Sequence, residues 1–188
     1  MTTANGTLPL APGRWAVDHS HSSIGFSIRH LGVSKVRGRF RTFDADVTIG
    51  ETLEDTSVTA TIEMASIDTD NADRDAHVRS PDIIDVERRP TMVFRSTRIL
   101  GADTEWQIDG DLTIGEITQP VTLAVEFGGI EDFPGGARHA GFEAGTEIRR
   151  KEFGIDVAMP PGVSATMLGD KIKIEMDLQL LEPEDAAA

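Results

Sequence analysis

Cysteine is absent from the 188 residues, and so is tyrosine. The first absence excludes a disulfide framework, thiolate metal ligands and a thiol nucleophile; the second excludes a phenolic acid or base. Aromatic residues make up only 5% of the chain, so any core is mainly aliphatic. No apolar run approaches the ~20 residues that a membrane-crossing helix needs, so no integral membrane segment is expected. The opening stretch MTTANGTLPLAPGRW has neither a basic n-region nor a continuous apolar segment. No secretory leader is read there, and a cytoplasmic location is expected. Enzyme signatures are missing as well: there is no G-x-S-x-G elbow, phosphate-binding glycine loop, H-E-x-x-H or dinucleotide fingerprint. No catalytic residue, cofactor or metal centre is assigned on this reading, and the protein is expected not to be an enzyme.

Basic residues are in short supply. Lys and Arg number 18 against 32 Asp and Glu, a net charge of −14. Phosphate-rich partners want a basic surface, so general nucleic-acid binding is excluded. The length suits one domain, and a hydrophobic fraction of 39% with 27% charged residues is ordinary for a globular protein. The expected organisation is a flexible segment over 1–13, a domain over 14–181 and a disordered acidic tail over 182–188. The charge is uneven: residues 1–41 hold Arg14, Arg29, Lys35, Arg37, Arg39 and Arg41 against the single acid Asp18. Pairing with acidic neighbours accounts for this without a partner.

Period-two alternation runs through most of the chain, the pattern of strands with one face buried. Ile24, Phe26 and Ile28 alternate with serines and glycine; Val36, Gly38 and Phe40 alternate with Lys35, Arg37, Arg39 and Arg41. The parity then flips to Phe43, Ala45, Val47 and Ile49, which predicts a β-bulge near Arg41-Thr42. Alternation resumes at Val58–Met64, Met92–Phe94, Trp106–Ile114, Val121–Phe127, Phe142–Ile148 and Ile172–Leu180, with turn residues such as Pro134-Gly135-Gly136 between. About eight such strands in hairpin succession read as an all-β fold, an antiparallel barrel or sandwich. The stretch Asp68–Pro90 breaks the rhythm. Asp70 or Asn71 can cap a short helix over Ala72–Arg79, and Ser80-Pro81 opens a second short turn. A second flap is expected over Lys151–Asp170.

The inward positions carry no charged residue. A barrel of about eight strands can fill its interior with side chains or hold one small ligand. The inward list is rich in small and medium residues, and His30 extends the Ile24-Phe26-Ile28 series at a strand end. A polar group at the mouth of an apolar tube suits an amphiphile with a long tail. His19 and His21 share parity beside Asp18, yet no third metal ligand is evident. Asn71, Arg74, Asp75, His77 and Arg79 are either a solvated, locally paired helix or a polar head-group site, and the residues alone leave both open.

These residues resemble the YceI family. The segments carrying the resemblance are W-A-V-D-H-S-H-S-S-I-G-F-S-I-R-H (Trp15 to His30) and G-R-F-R-T-F-D-A (Gly38 to Ala45). The most specific is S-I-D-T-D-N-A-D-R-D-A-H-V-R-S-P-D-I-I-D-V-E-R-R-P-T-M-V-F-R-S (Ser66 to Ser96). G-D-L-T-I-G-E-I-T-Q-P-V-T-L (Gly110 to Leu123) and R-R-K-E-F-G-I (Arg149 to Ile155) follow in order. The resemblance implies an extended, lipocalin-like antiparallel β-barrel with one or two short helices, enclosing a polyisoprenoid or similar long-chain lipid without catalysis. The family's D-x-x-H-S pattern falls on Asp18, His21 and Ser22, and its N-x-x-R-D-x-H pattern on Asn71, Arg74, Asp75 and His77. Ile83-Ile84 stand where the family often has paired phenylalanines.

The expectation is therefore a barrel that sequesters or transports a long-chain amphiphile of the polyisoprenoid or isoprenoid-quinone type. The tail is expected against Phe26, Ile28, Phe40, Ile62, Met64, Phe94, Ile108 and Leu123. The head is expected at His30, Asn71, Arg74 and His77, with Asp68–Pro90 gating access. Two rivals stand: an enzyme with His21 or His30 as acid/base, or a protein-interaction module using the Lys35–Arg41 cation row. Exposed strand edges would also admit a homodimer.

Overall fold

A computed structural model describes residues 9–134, 136–157 and 167–183. The elements are β1 (Gly13–Val17), β2 (Ser23–His30), β3 (Ser34–Phe40), β4 (Phe43–Ile49), β5 (Ser57–Glu63), β6 (Ile67–Asp68), α1 (Ala72–Arg79), β7 (Thr91–Ala102), β8 (Glu105–Ile114), β9 (Ile117–Asp132), β10 (Arg138–Arg149) and β11 (Leu168–Leu181). Short 3-10 turns follow β5, at Met64–Ser66, and β10, at Arg150–Phe153.

Every strand pairing is antiparallel, and β11 pairs with both β1 and β2, which closes the sheet on itself. β1 with β2, β3 with β4, and β5 with β6 are each one long strand interrupted in the middle. The result is an eight-stranded antiparallel closed barrel. Closure removes the free edges that would otherwise template aggregation. The parity flip at Arg41-Thr42 coincides with the break between β3 and β4. There the Arg41 N–H donates to Ser66 O, and Thr42 O accepts from the Glu63 N–H, instead of continuing the ladder.

One end of the barrel is covered by the segment between β6 and β7. Asn71 caps α1 by accepting the Arg74 N–H at its side-chain oxygen, 2.9 Å away. Asp73 and Asp75 sit in its first turn and His77 and Arg79 in its last, the order that the helix dipole favours. Ser80-Pro81 opens the expected second short turn, with Ile83 N–H donating to Ser80 O, so that of the one or two short helices expected α1 is the one formed in this segment. Val78, Ile83, Ile84 and Val86 press from this segment onto the core. Leu10, placed in the flexible segment by sequence, is buried beside Trp15. Gly13, also placed in that segment, already begins β1. Residues 1–8, the middle of the second flap and the end of the tail lie outside the described residues.

Candidate functional site

The apolar interior is divided into two clusters. At the helix end Phe40, Met64, Ile67, Ile84, Ile114, Ile148, Phe153 and Ile155 are buried together. At the opposite end Leu10, Trp15, Val47, Ile49, Ala140 and Leu180 form a second cluster, with Trp106, Phe127 and Phe142 packed on it. Trp15 and Phe153, the two largest side chains that are fully buried, anchor one cluster each. Between them a cavity of about 150 Å³ remains. Ile62, Met92, Phe94, Leu112 and Ile174 wall it on one side, and Val17, Val47, Ile49 and Leu180 on the other. No polar atom is exposed inside it. Apolar cavities of this size stay dry and take a molecule about as large as benzene.

Ile62, Phe94, Ile108 and Leu123, expected against a ligand tail, all line the cavity. Phe26, Phe40 and Met64 pack in the helix-end cluster instead, and Ile28 is buried farther along β2, outside the wall. Sequence reasoning missed Leu10, Val17, Val121, Met176 and Leu180 as wall residues. Alternation did mark most of these as inward. It carries no information on height along the barrel axis, which depends on strand tilt and shear.

The polar motif residues prove to be scaffolding contacts. Arg74 donates from Nε to Thr69 Oγ1 and from a terminal nitrogen to Thr69 O, both at 2.7 Å. Asp75, buried, accepts from the N–H and hydroxyl of the same threonine at 2.9 and 2.6 Å. Arg79 donates to Ala65 O and Ile67 O, and Arg89 joins Ile84 O to Gly154 O. The covering segment is thus tied down by arginine-to-carbonyl bonds from several directions. Arg150, only 3% exposed, does the same for the second turn, donating to Ile155 O, Gly169 O and Leu168 O. His77 is exposed, 3.8 Å from Asp82, and His30 is half-buried at the end of β2. None of His30, Asn71, Arg74 and His77 belongs to the cavity wall.

The wall has a seam. β1 pairs β4 only through Gly13–Trp15, and β2 pairs β3 only from Ile24 onward. Between the two ladders, no residue of 16–23 is paired in register with one of 41–46. The first stretch bonds to β11 instead. The Asp18 N–H donates to Gln179 O at 2.9 Å, and Ser22 Oγ accepts from the Gln179 N–H at 2.9 Å. Val17, Ile24, Phe43, Asp44 and Ala45, from both banks of the seam, line the cavity. Asp44 is 77% exposed at its side chain, so here the cavity reaches the surface. His19 spans the opening, its ring 5.6 Å from that of Phe43 and its Nε2 3.6 Å from Asp44.

His19 and His21 therefore serve different partners. His21 Nδ1 lies 2.7 Å from Asp18, and this hydrogen bond is the main cause holding the Asp18 carboxyl below its ordinary range, against burial, which raises it. On the β3 side, Asp68 is also held low, first by the Asp70 N–H and then by Arg41. Arg39 and Arg41 both contact Asp68. Half of the cation row is thus paired within the chain.

A family model described as the YceI-like domain matches residues 15–180. A UPF0312 protein of Vibrio parahaemolyticus is 33% identical over 181 residues, covering 92% of this chain and 89% of that protein. Among solved structures, BcnA of Burkholderia cenocepacia superposes with a TM-score of 0.73 at 23% identity, covering 87% of this chain and 98% of its own. A domain of Saccharophagus degradans, described as polyisoprenoid binding, gives a TM-score of 0.63 at 8% identity, covering 90% and 98%.

Proposed function

Because this chain belongs to the YceI-like family, we propose that it is a carrier that encloses the apolar tail of an isoprenoid-type lipid between its two core clusters, without turnover. The single observation that supports this most is the cavity, exposing no polar atom, left in the middle of an otherwise close-packed barrel. A cavity that exposes no polar atom has no means of holding a polar substrate within it, whereas each methylene it buries stabilises by ~0.8 kcal/mol.

The volume sets a condition on the reading. About 150 Å³ holds one ring-sized group, so a long tail requires the barrel to swell. Met92 and Met176 line the wall, and the unbranched thioether is the side chain best able to repack around a chain-like guest. The polar end of the ligand is placed at the seam, beside His19 and Asp44. Asn71, Arg74 and His77 then act through the covering segment, to which they belong, whereas His30 ends β2. The Saccharophagus domain, called polyisoprenoid binding, supplies the ligand class by analogy of fold.

Tryptophan fluorescence tests this. The chain has two tryptophans, and Trp106 lines the cavity while Trp15 does not. Titrating a long-chain polyprenyl alcohol is expected to give a saturable emission change that Trp106→Phe removes. Unchanged emission throughout, with no rise in thermal stability, contradicts the proposal.

A further inference from the structure

The outer surface around the β2–β3 hairpin carries a feature that the interior does not use. At the tip, Leu31 is 56% and Val33 81% exposed. Leu31 has φ 54° and the adjacent Gly32 φ 71°. That left-handed region is natural to glycine, asparagine and aspartate and costly for a leucine. A polar residue would suit both the water and the backbone, so folding alone gives no reason for the leucine.

The strands behind this tip are cationic. Arg29 stands opposite Lys35, and Ser27 stands between Arg37 and Lys173. Arg39 and Arg41 are engaged by Asp68, and Lys173 by Glu175, whose carboxylate also feels Lys35 and Arg37. Arg29, Lys35 and Arg37 form no ion pair of their own among the described residues. Elsewhere the surface is acidic. Glu105, Glu126, Glu143 and Asp177 form one directly opposed row across β8, β9, β10 and β11. A chain of net charge −14 thus gathers cations around its protruding aliphatic tip and carboxylates on another face.

We infer that the β2–β3 hairpin docks this protein onto a bilayer surface rich in anionic phospholipid, with Leu31 and Val33 entering the headgroup boundary and Arg29, Lys35 and Arg37 meeting phosphate. Apolar burial and electrostatic attraction add at such an interface. Two small side chains present far less than the ~800 Å² per partner that a stable protein interface takes. A membrane needs no matching surface. The inference goes beyond the carrier reading and does not rest on it, since the test uses vesicles free of isoprenoid.

The test is co-sedimentation with vesicles of phosphatidylglycerol and phosphatidylcholine in equal parts, against phosphatidylcholine alone, at low salt. The protein sediments with the anionic vesicles only, and added salt releases it. Lys35→Gln and Arg37→Gln each lower the partition coefficient about fivefold. Leu31→Ser with Val33→Ser lowers it about tenfold or more, with an unfolding midpoint matching the parent. Failure to sediment with anionic vesicles overturns the inference, as does binding that neither set of substitutions weakens. Retention by immobilised polyglutamate without vesicle binding also overturns it, assigning the patch to an acidic protein.

Discussion

Gly110 lies inward on β8 at the place where the ring of Phe94 lies across it: a methyl group there would fall 2.4 Å from that ring and 2.4 Å from Arg95 O. Gly38 on β3 is covered by Phe26 in the same manner. Alternation alone reads Ile108, Gly110 and Leu112 as one inward series. It does not reveal that the glycine exists to seat an aromatic ring from the neighbouring strand, because that depends on cross-strand register. Phe94 lines the cavity, so the two effects are coupled. Gly110→Ala is expected to destabilise the fold by about 1–3 kcal/mol and to push Phe94 toward the hollow, weakening ligand binding. Urea denaturation and the tryptophan titration check the two effects, and a variant unchanged in both contradicts this packing. The motif residues teach a related lesson. The cluster from Asn71 to Arg79 reads in sequence either as a locally paired helix or as a head-group site, with Arg74 among the expected head-group residues. In the fold Arg74 and Asp75 both close on Thr69. Spacing identified a cluster of donors and acceptors, and the shared partner, Thr69, lies outside that spacing.

Among the elements, the extent of α1 was legible: Ala72–Arg79 is as expected, and of the two candidate caps, Asp70 and Asn71, it is Asn71 that caps it. Most strands were legible too, since each needs only a period of two, but the short β1 and β6 were not among the alternating segments. The pairing of β11 with both β1 and β2 was not legible, and the seam follows from that pairing. Residues 16–23 bond to β11 through Gln179, and the 41–46 stretch keeps its ladder to β5 but has no register partner on the β1–β2 side. Two routes to the cavity can now be compared. The covering segment from Asp68 to Pro90 is held by Arg74, Arg79 and Arg89, and Ile84 is buried under it. The seam is crossed by side chains alone, His19 against Phe43 and Asp44 and the Arg14–Asp46 ion pair. Access through the seam costs fewer contacts. Because the chain has no cysteine, Asp44→Cys carries a bulky maleimide at a single site. That label is expected to slow polyprenyl uptake in stopped-flow fluorescence, while the same label at Arg95→Cys, exposed on β7, leaves the rate unaltered. Equal rates for both would move the route to the covering segment.

For the whole molecule, the issue is what a closed barrel gains by leaving its middle empty. A cavity forfeits stability roughly in proportion to its volume, at ~24 cal/mol per Å³, so an unfilled 150 Å³ is a standing cost of a few kcal/mol. Interiors are otherwise close-packed, and both ends of this barrel conform, anchored by Trp15 and Phe153. A ligand that fills the gap between them recovers that cost and adds its own burial. Alternation pointed to an antiparallel barrel or sandwich with an apolar inner face, and the family resemblance selected the barrel. They could not establish the hollow, because volume is a difference between large numbers that depends on every rotamer. Native mass spectrometry after incubation with a long-chain polyprenyl alcohol measures the central claim most directly. The account predicts a discrete one-to-one complex that survives removal of excess lipid and is diminished in Gly110→Ala. A bare protein mass, or a ladder of adducts that scales with added lipid and is indifferent to that substitution, would contradict it.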